Sequence, residues 1–112
     1  MSAPVLNRKL VLEARTQVPD GAGGYAEDWV ALGEVWADVD ARTGRREDWA
    51  ELKLATIAHR ITVRAAPVGA PSRPEPGQRF REGTRVYAIL AVAESNARAR
   101  YLTCFAREEA AA

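Results

Sequence analysis

Glu34-Val35-Trp36-Ala37-Asp38-Val39-Asp40-Ala41 alternates without a break. Val35, Ala37, Val39 and Ala41 fall on one side of an extended chain, and Trp36, Asp38 and Asp40 fall on the other. Successive side chains of a strand point to opposite faces, so this stretch reads as a half-buried strand with its aspartates toward water. It decides the fold because the same period of two returns on both sides of it.

Toward the N-terminus, Gly33 is expected to break the run, and Tyr25-Ala26-Glu27-Asp28-Trp29-Val30-Ala31-Leu32 precedes it. Tyr25 and Trp29 can share one face of a strand there, although a short helix competes with that reading. Val18-Pro19-Asp20-Gly21 followed by Gly23-Gly24 is a turn, since proline presets φ and glycine accepts positive φ. Before the turn, Arg8-Lys9-Leu10-Val11-Leu12-Glu13-Ala14 sends Leu10 and Leu12 one way and Lys9 and Glu13 the other, as a further strand.

Toward the C-terminus, Thr43-Gly44 ends the central strand. Residues 46–56 hold good helix formers, with Trp49, Leu52 and Thr56 at helical spacing and Glu47 and Asp48 where a helix dipole favours acids. A flexible arm is the competing reading. Residues 58–65 return to strict alternation, Ile61 and Val63 opposing Arg60, Thr62 and Arg64. Pro67, Pro71, Pro74 and Pro76 with Gly69 and Gly77 make residues 67–77 a long surface loop. Phe80 lies in a short segment before a turn at Glu82-Gly83. Residues 85–93 are apolar on both faces, the pattern of a strand covered on two sides or laid against another subunit. Residues 99–106 form the last strand, and the tail from Arg107 is expected to fray. The expectation is a mainly β chain: a small antiparallel barrel of about six strands, with one short helix or extended arm at about residues 42–57 between the third and fourth.

A chain of 112 residues forms one domain with one core. Its net charge of +1 argues against a dedicated DNA-binding domain and against a polybasic membrane anchor. No apolar run approaches the ~20 residues that span a bilayer, and the N-terminal residues lack the charged-then-apolar order of a secretory signal. Cys104 has no partner cysteine, so a cytoplasmic origin is expected.

Catalytic constellations are missing from the sequence. His59 is the sole histidine, and it and Cys104 cannot supply a structural zinc site, which takes four ligands. No glycine-rich elbow adjoins Cys104, so a buried thiol is the expected state. Asp38 and Asp40 could hold a hard cation weakly, but they read better as the wet side of their strand. Gly21, Gly23 and Gly24 precede no helix start, so they cradle no phosphate. Arginines gather at 42, 45 and 46, at 79, 81 and 85, and at 98 and 100, and near-neutral charge favours solvated strand ends or contacts between subunits. Trp36 shares its face with two aspartates, and a tryptophan rimmed by charge suits a protein interface.

The order of motifs resembles the phage head–tail joining family, also called head closure or stopper proteins. A basic strand (Arg8–Leu12) precedes an Asp-x-x-Gly-Gly turn (Asp20–Gly24) and Trp29. A Trp-Ala strand (Val35–Val39) is followed by a basic–acidic stretch (Gly44–Glu47), then by Ile61-Thr62-Val63-Arg64. Gly83-x-x-x-Tyr87-x-Ile89 and Leu102-x-Cys104 close the pattern. The resemblance covers residues 6–107, and the proline-rich loop is its main departure.

The resemblance implies a single domain over residues 1–112. It implies copies in a ring of about six or twelve that closes the DNA-filled head of a tailed phage or phage-like particle and docks the tail. Portal or adaptor proteins would meet one side, and a tail terminator or tail-tube protein the other, with transient contact to packaged double-stranded DNA. It implies a location in the virion after assembly in the bacterial host cytoplasm, with no membrane contact, cofactor or metal, and no enzymatic activity. Arg42, Gly44, Arg45, Arg46 and Trp49 would belong to a channel-facing arm, and Trp36, Arg60, Arg64 and Tyr87 to subunit or ring interfaces. Two other classes compete. An oligonucleotide-binding barrel would need exposed aromatic platforms, for which Tyr87 and Tyr101 are the candidates. Another connector ring protein, an adaptor or tail terminator, would be helical or mixed.

Overall fold

The computed structural model describes residues 4–42, 58–94 and 100–109. Six strands follow in chain order: β1 (Arg8–Pro19), β2 (Tyr25–Arg42), β3 (Ala58–Arg64), β4 (Arg79–Glu82), β5 (Arg85–Glu94) and β6 (Tyr101–Glu109). They pair antiparallel in the order β1-β2-β3-β6-β5-β4, and β4 returns to β1 to close a barrel. Closure removes the free edges that an open sheet would offer to stray chains.

Alternation fills the barrel. Leu10 and Leu12, Ala37, Ile61 and Val63, Phe80, Tyr87 and Ile89, and Leu102, Cys104 and Ala106 point inward and are buried. Each large apolar side chain so enclosed contributes about 1.5–3 kcal/mol relative to leaving it in water. Tyr87 and Phe80 are the largest of the fully buried side chains.

The number of strands agrees with the sequence reading, but their identity differs in two places. Gly33 does not end a strand: β2 runs through it, and the glycine takes φ +148°. Pairing passes from Leu12↔Gly33 to Glu13↔Ala31, so Leu32 is an extra residue and the ribbon bends there. A bulge tolerates a backbone angle that only glycine adopts easily. The short segment around Phe80 is a full member of the barrel, β4, joined to β5 by a tight turn at Gly83 with φ +61°.

Two further expectations change. Arg107, Glu108 and Glu109 do not fray but extend β6, pairing with Ala58, Tyr87 and Val86. The strand at 85–93 is not covered on both faces: Tyr87 and Ile89 are buried, whereas Leu90, Ala91 and Ala93 are exposed. A second register skip between Ile89 and Ala91 pushes Leu90 out of the ladder. The loop at 67–77 carries neither strand nor helix, as its prolines require. The expected helix or arm at 46–56 lies outside the described residues.

The ends of the barrel differ. One rim gathers the starts of β1, β3 and β5 with the ends of β2, β4 and β6. From the opposite rim, β1 and β2 continue past their bulge as a two-stranded ribbon, residues 14–31, closed by a turn in which Asp20 accepts backbone hydrogen bonds from Ala22 and Gly24.

Candidate functional site

The ribbon is fixed at its root by a cluster that the sequence pattern does not reveal. Glu13 points outward from β1 but is covered by its neighbours. Its two oxygens accept hydrogen bonds from Arg79 Nε at 2.7 Å and Arg81 Nε at 2.8 Å, both on β4. Burial pushes the Glu13 carboxyl up, but the two guanidiniums together hold it below its ordinary range. Arg79 lies 4.1 Å from the centre of the Trp29 ring, and Arg15 lies 5.3 Å from it. Arg15 also pairs with Glu27 across the ribbon at 3.5 Å. One face of the ribbon is thus occupied by stacked guanidinium, indole and carboxylate groups.

The other face is different in kind. The register places Ala14 opposite Val30, Thr16 opposite Asp28 and Val18 opposite Ala26. Val30 is 45% exposed and Val18 38%. Asp28 is the one charged group among these six.

A polar network occupies the opposite rim. Arg85 holds Glu108 with paired bonds of 2.8 and 3.0 Å, and Arg8 holds Glu82. The guanidinium partner is the main reason that each carboxyl sits below its ordinary value. His59 is buried, edge-on to Tyr87 with ring centres 5.0 Å apart, and its Nε2 lies 3.6 Å from Glu108. The Tyr87 hydroxyl accepts a long contact of 3.5 Å from Arg8, and burial raises its pKa.

Trp36 and Arg64 meet on the outer face of β2 and β3, while Arg60 lies further along that face, opposite Asp40. Trp36 is 54% exposed, with Lys9 Nζ 5.8 Å from its ring centre. Trp36 and Arg64 line a shallow groove of about 290 Å³ with Leu6, Val35 and Ala66. Arg60 lies 5.8 Å from the ring centre of Phe105 on β6. Tyr87 does not join them, because it points into the barrel. Arg42 ends β2, paired with Ala58, and Gly44, Arg45, Arg46 and Trp49 lie outside the described residues.

Neither a nucleophile nor a stacking platform is built from the residues considered for them. Burial pushes the Cys104 thiol up to about 12, which leaves it protonated at neutral pH. Tyr87 points inward and Tyr101 lies on the outer face next to Arg64, so the two rings cannot hold successive bases. Among the described residues, no group of three or more His, Cys, Asp or Glu side chains is placed to hold a metal ion.

A small closed barrel with a rooted ribbon and charge-rimmed outer faces defines a class: a structural subunit that works by contact. The model of the phage head completion protein family matches residues 1–109, and the chain belongs to that family. No curated protein matches the chain. A solved chain from the virion of a native gene transfer agent particle is similar at 51% identity and a TM-score of 0.73, covering 98% of this chain and 100% of that one. The solution structure of protein SF1141 from Shigella flexneri 2a has the same fold, with a TM-score of 0.69 at 19% identity, covering 98% of each chain. The chain is a structural virion protein of the head–tail connector, as its motif order implies.

Proposed function

We propose that copies of this chain form a closed ring of about six or twelve in the connector, sealing the filled head and presenting the surface on which the tail docks. The observation that carries this reading is the full-length match to the head completion family, reinforced by the 51% identity to a particle protein over its whole chain. Portal or adaptor proteins meet one side of the ring, and a terminator or tail-tube protein the other. Assembly takes place in the host cytoplasm, and the protein catalyses no reaction.

The segment 43–57 is the gating arm in this reading. Its flanking residues Arg42 and Ala58 are paired on adjacent strands, so it leaves and re-enters the barrel at one point of one rim. In this reading Arg42, Arg45 and Arg46 touch passing DNA or a neighbouring subunit, with Gly44 and Trp49 in the same arm, and the arm changes position on assembly. A net charge of +1 suits a channel wall past which DNA must slide without sticking.

Particles assembled without the protein test the reading: filled or leaking heads that lack tails are expected, and normal tailed particles would refute it. Deleting residues 44–55 should spare the barrel, because no described strand passes through them, yet yield heads that lose DNA or carry no tail. Unimpaired packaging and infection or transfer by that variant would remove the gating role from the arm.

A further inference from the structure

Among the described residues, two apolar surfaces away from the Trp36 groove are open to solvent. The first is the bare face of the ribbon, built around Val18, Ala26 and Val30 with Asp28 as its charge. The second is the outer wall of β5 and β6, where Leu90 is 56% exposed and Phe105 41%, with Ala91 paired beside Phe105 and Ala93 next along β5. Arg60 and Arg107 flank that wall. The ribbon face continues the inward-facing side of β1 and β2 past the rim, and the wall is the outer side of β5 and β6, so the two do not meet within one molecule.

Building on the connector reading, we propose that the ribbon of one copy lies with its bare face across the β5–β6 wall of the next copy. Three observations favour this occupant. The ribbon's bare face carries Ala14, Val18, Ala26 and Val30 around Thr16 and one acid, Asp28, and the wall is apolar with basic flanks, so the two are complementary in apolar character and in charge. The ribbon reaches six residues past Glu13, about 20 Å at the rise of a strand. Its root is held by Glu13, Arg79 and Trp29, so the face is presented ready-made with little ordering cost. One patch meeting a different patch is the heterologous geometry from which rings close, whereas a two-fold contact would stop at a dimer. The bulge that expels Leu90 from its ladder then has a use: it supplies a ridge for the neighbour's small Ala14 and Ala26.

Particles carrying Val18→Cys and Ala91→Cys in the full chain, treated with a short bis-maleimide, read the contact directly. Cys104 is buried, its thiol raised to about 12, and does not compete. The double variant should give a ladder of covalent multimers ending at the ring's copy number, and each single variant should stay monomeric. Adding Val30→Asp to the double variant should abolish the ladder without moving the melting temperature of the isolated chain. An unlinked double variant overturns the docking. So does a Val18→Cys dimer, which would mean a two-fold contact, or a Val18→Cys link to another virion protein. Ala26→Cys with Ala93→Cys replaces the first pair should that pair fail to enter particles. Tailless particles in the absence of the protein combined with an unlinked double variant sink the docking alone, while normal particles in its absence sink the connector reading beneath it.

Discussion

β1 and β2 are the same two strands on either side of a bulge, yet the two halves live in different solvents. Below the skip at Leu12 and Glu13, Leu10, Leu12 and Ala37 are enclosed by four further strands. Above it, residues 14–19 and 25–31 pair only with each other. An isolated two-stranded ribbon is marginal in water, and this one stands because its base is tied to β4 through Glu13. Closure therefore carries stability, and the ribbon is left exposed for the contact proposed above. The chain separates these tasks with one glycine and one carboxylate.

Substitutions on each side of the bulge sharpen that contrast. Phe80→Ala should have the largest effect, about 3–5 kcal/mol lost in denaturant unfolding, because the phenyl ring is fully enclosed. Tyr25→Ala at the ribbon tip, 69% exposed, should change stability by no more than about 0.5 kcal/mol. Equal losses at both sites would mean that the ribbon belongs to the core. Glu13→Gln comes next, at about 2 kcal/mol, since it leaves Arg79 and Arg81 facing a neutral amide in a covered site. Hydrogen exchange should report that loss first in residues 14–31, and a uniform loss across the barrel would break the assignment of Glu13 to the ribbon root.

Acid should reproduce part of this. The carboxyls of Glu13, Glu82 and Glu108 hold protons less tightly in the fold than in the open chain, so protonation favours the open chain. Their contribution is complete above about 4.5, the ordinary value, and is lost as pH falls through the lowered folded values. A melting temperature that stays flat from pH 6 to about 3 would contradict this linkage. Gly33→Val should cost about 1–2 kcal/mol, because φ +148° strains a branched residue although no neighbour blocks its Cβ. A stabilised Gly33→Val protein would mean that the bend is not needed.

Much of this architecture is legible from alternation alone. Residues 34–41 and 58–64 take the strands their pattern dictates, because a closed barrel buries every second residue and period two is that burial written in sequence. Gly33 misleads because a bulge and a strand end call for the same residue type, and only the partner strand decides between them. Phe80 sits in a strand of four residues, too short for a period to show. Residues 85–93 read as covered on two sides or laid against another subunit; Leu90, Ala91 and Ala93 are exposed, and the proposed docking would supply their cover. Trp36 as an exposed side chain follows from its aspartate neighbours, and the structure agrees. Glu13 has no local signal: its partners stand 66 and 68 positions away and meet it only through closure.

Tyr87 and Phe80, with Leu10, Leu12, Ile61, Val63 and Leu102, pack the interior of the barrel with fully buried side chains. Nothing can thread a single copy, so in the proposed ring a conduit for DNA would run between copies. Its bore then depends on how many subunits gather and how far each leans, and not on how many strands each contains. In the proposed ring, a wider or narrower throat would need no change in the fold.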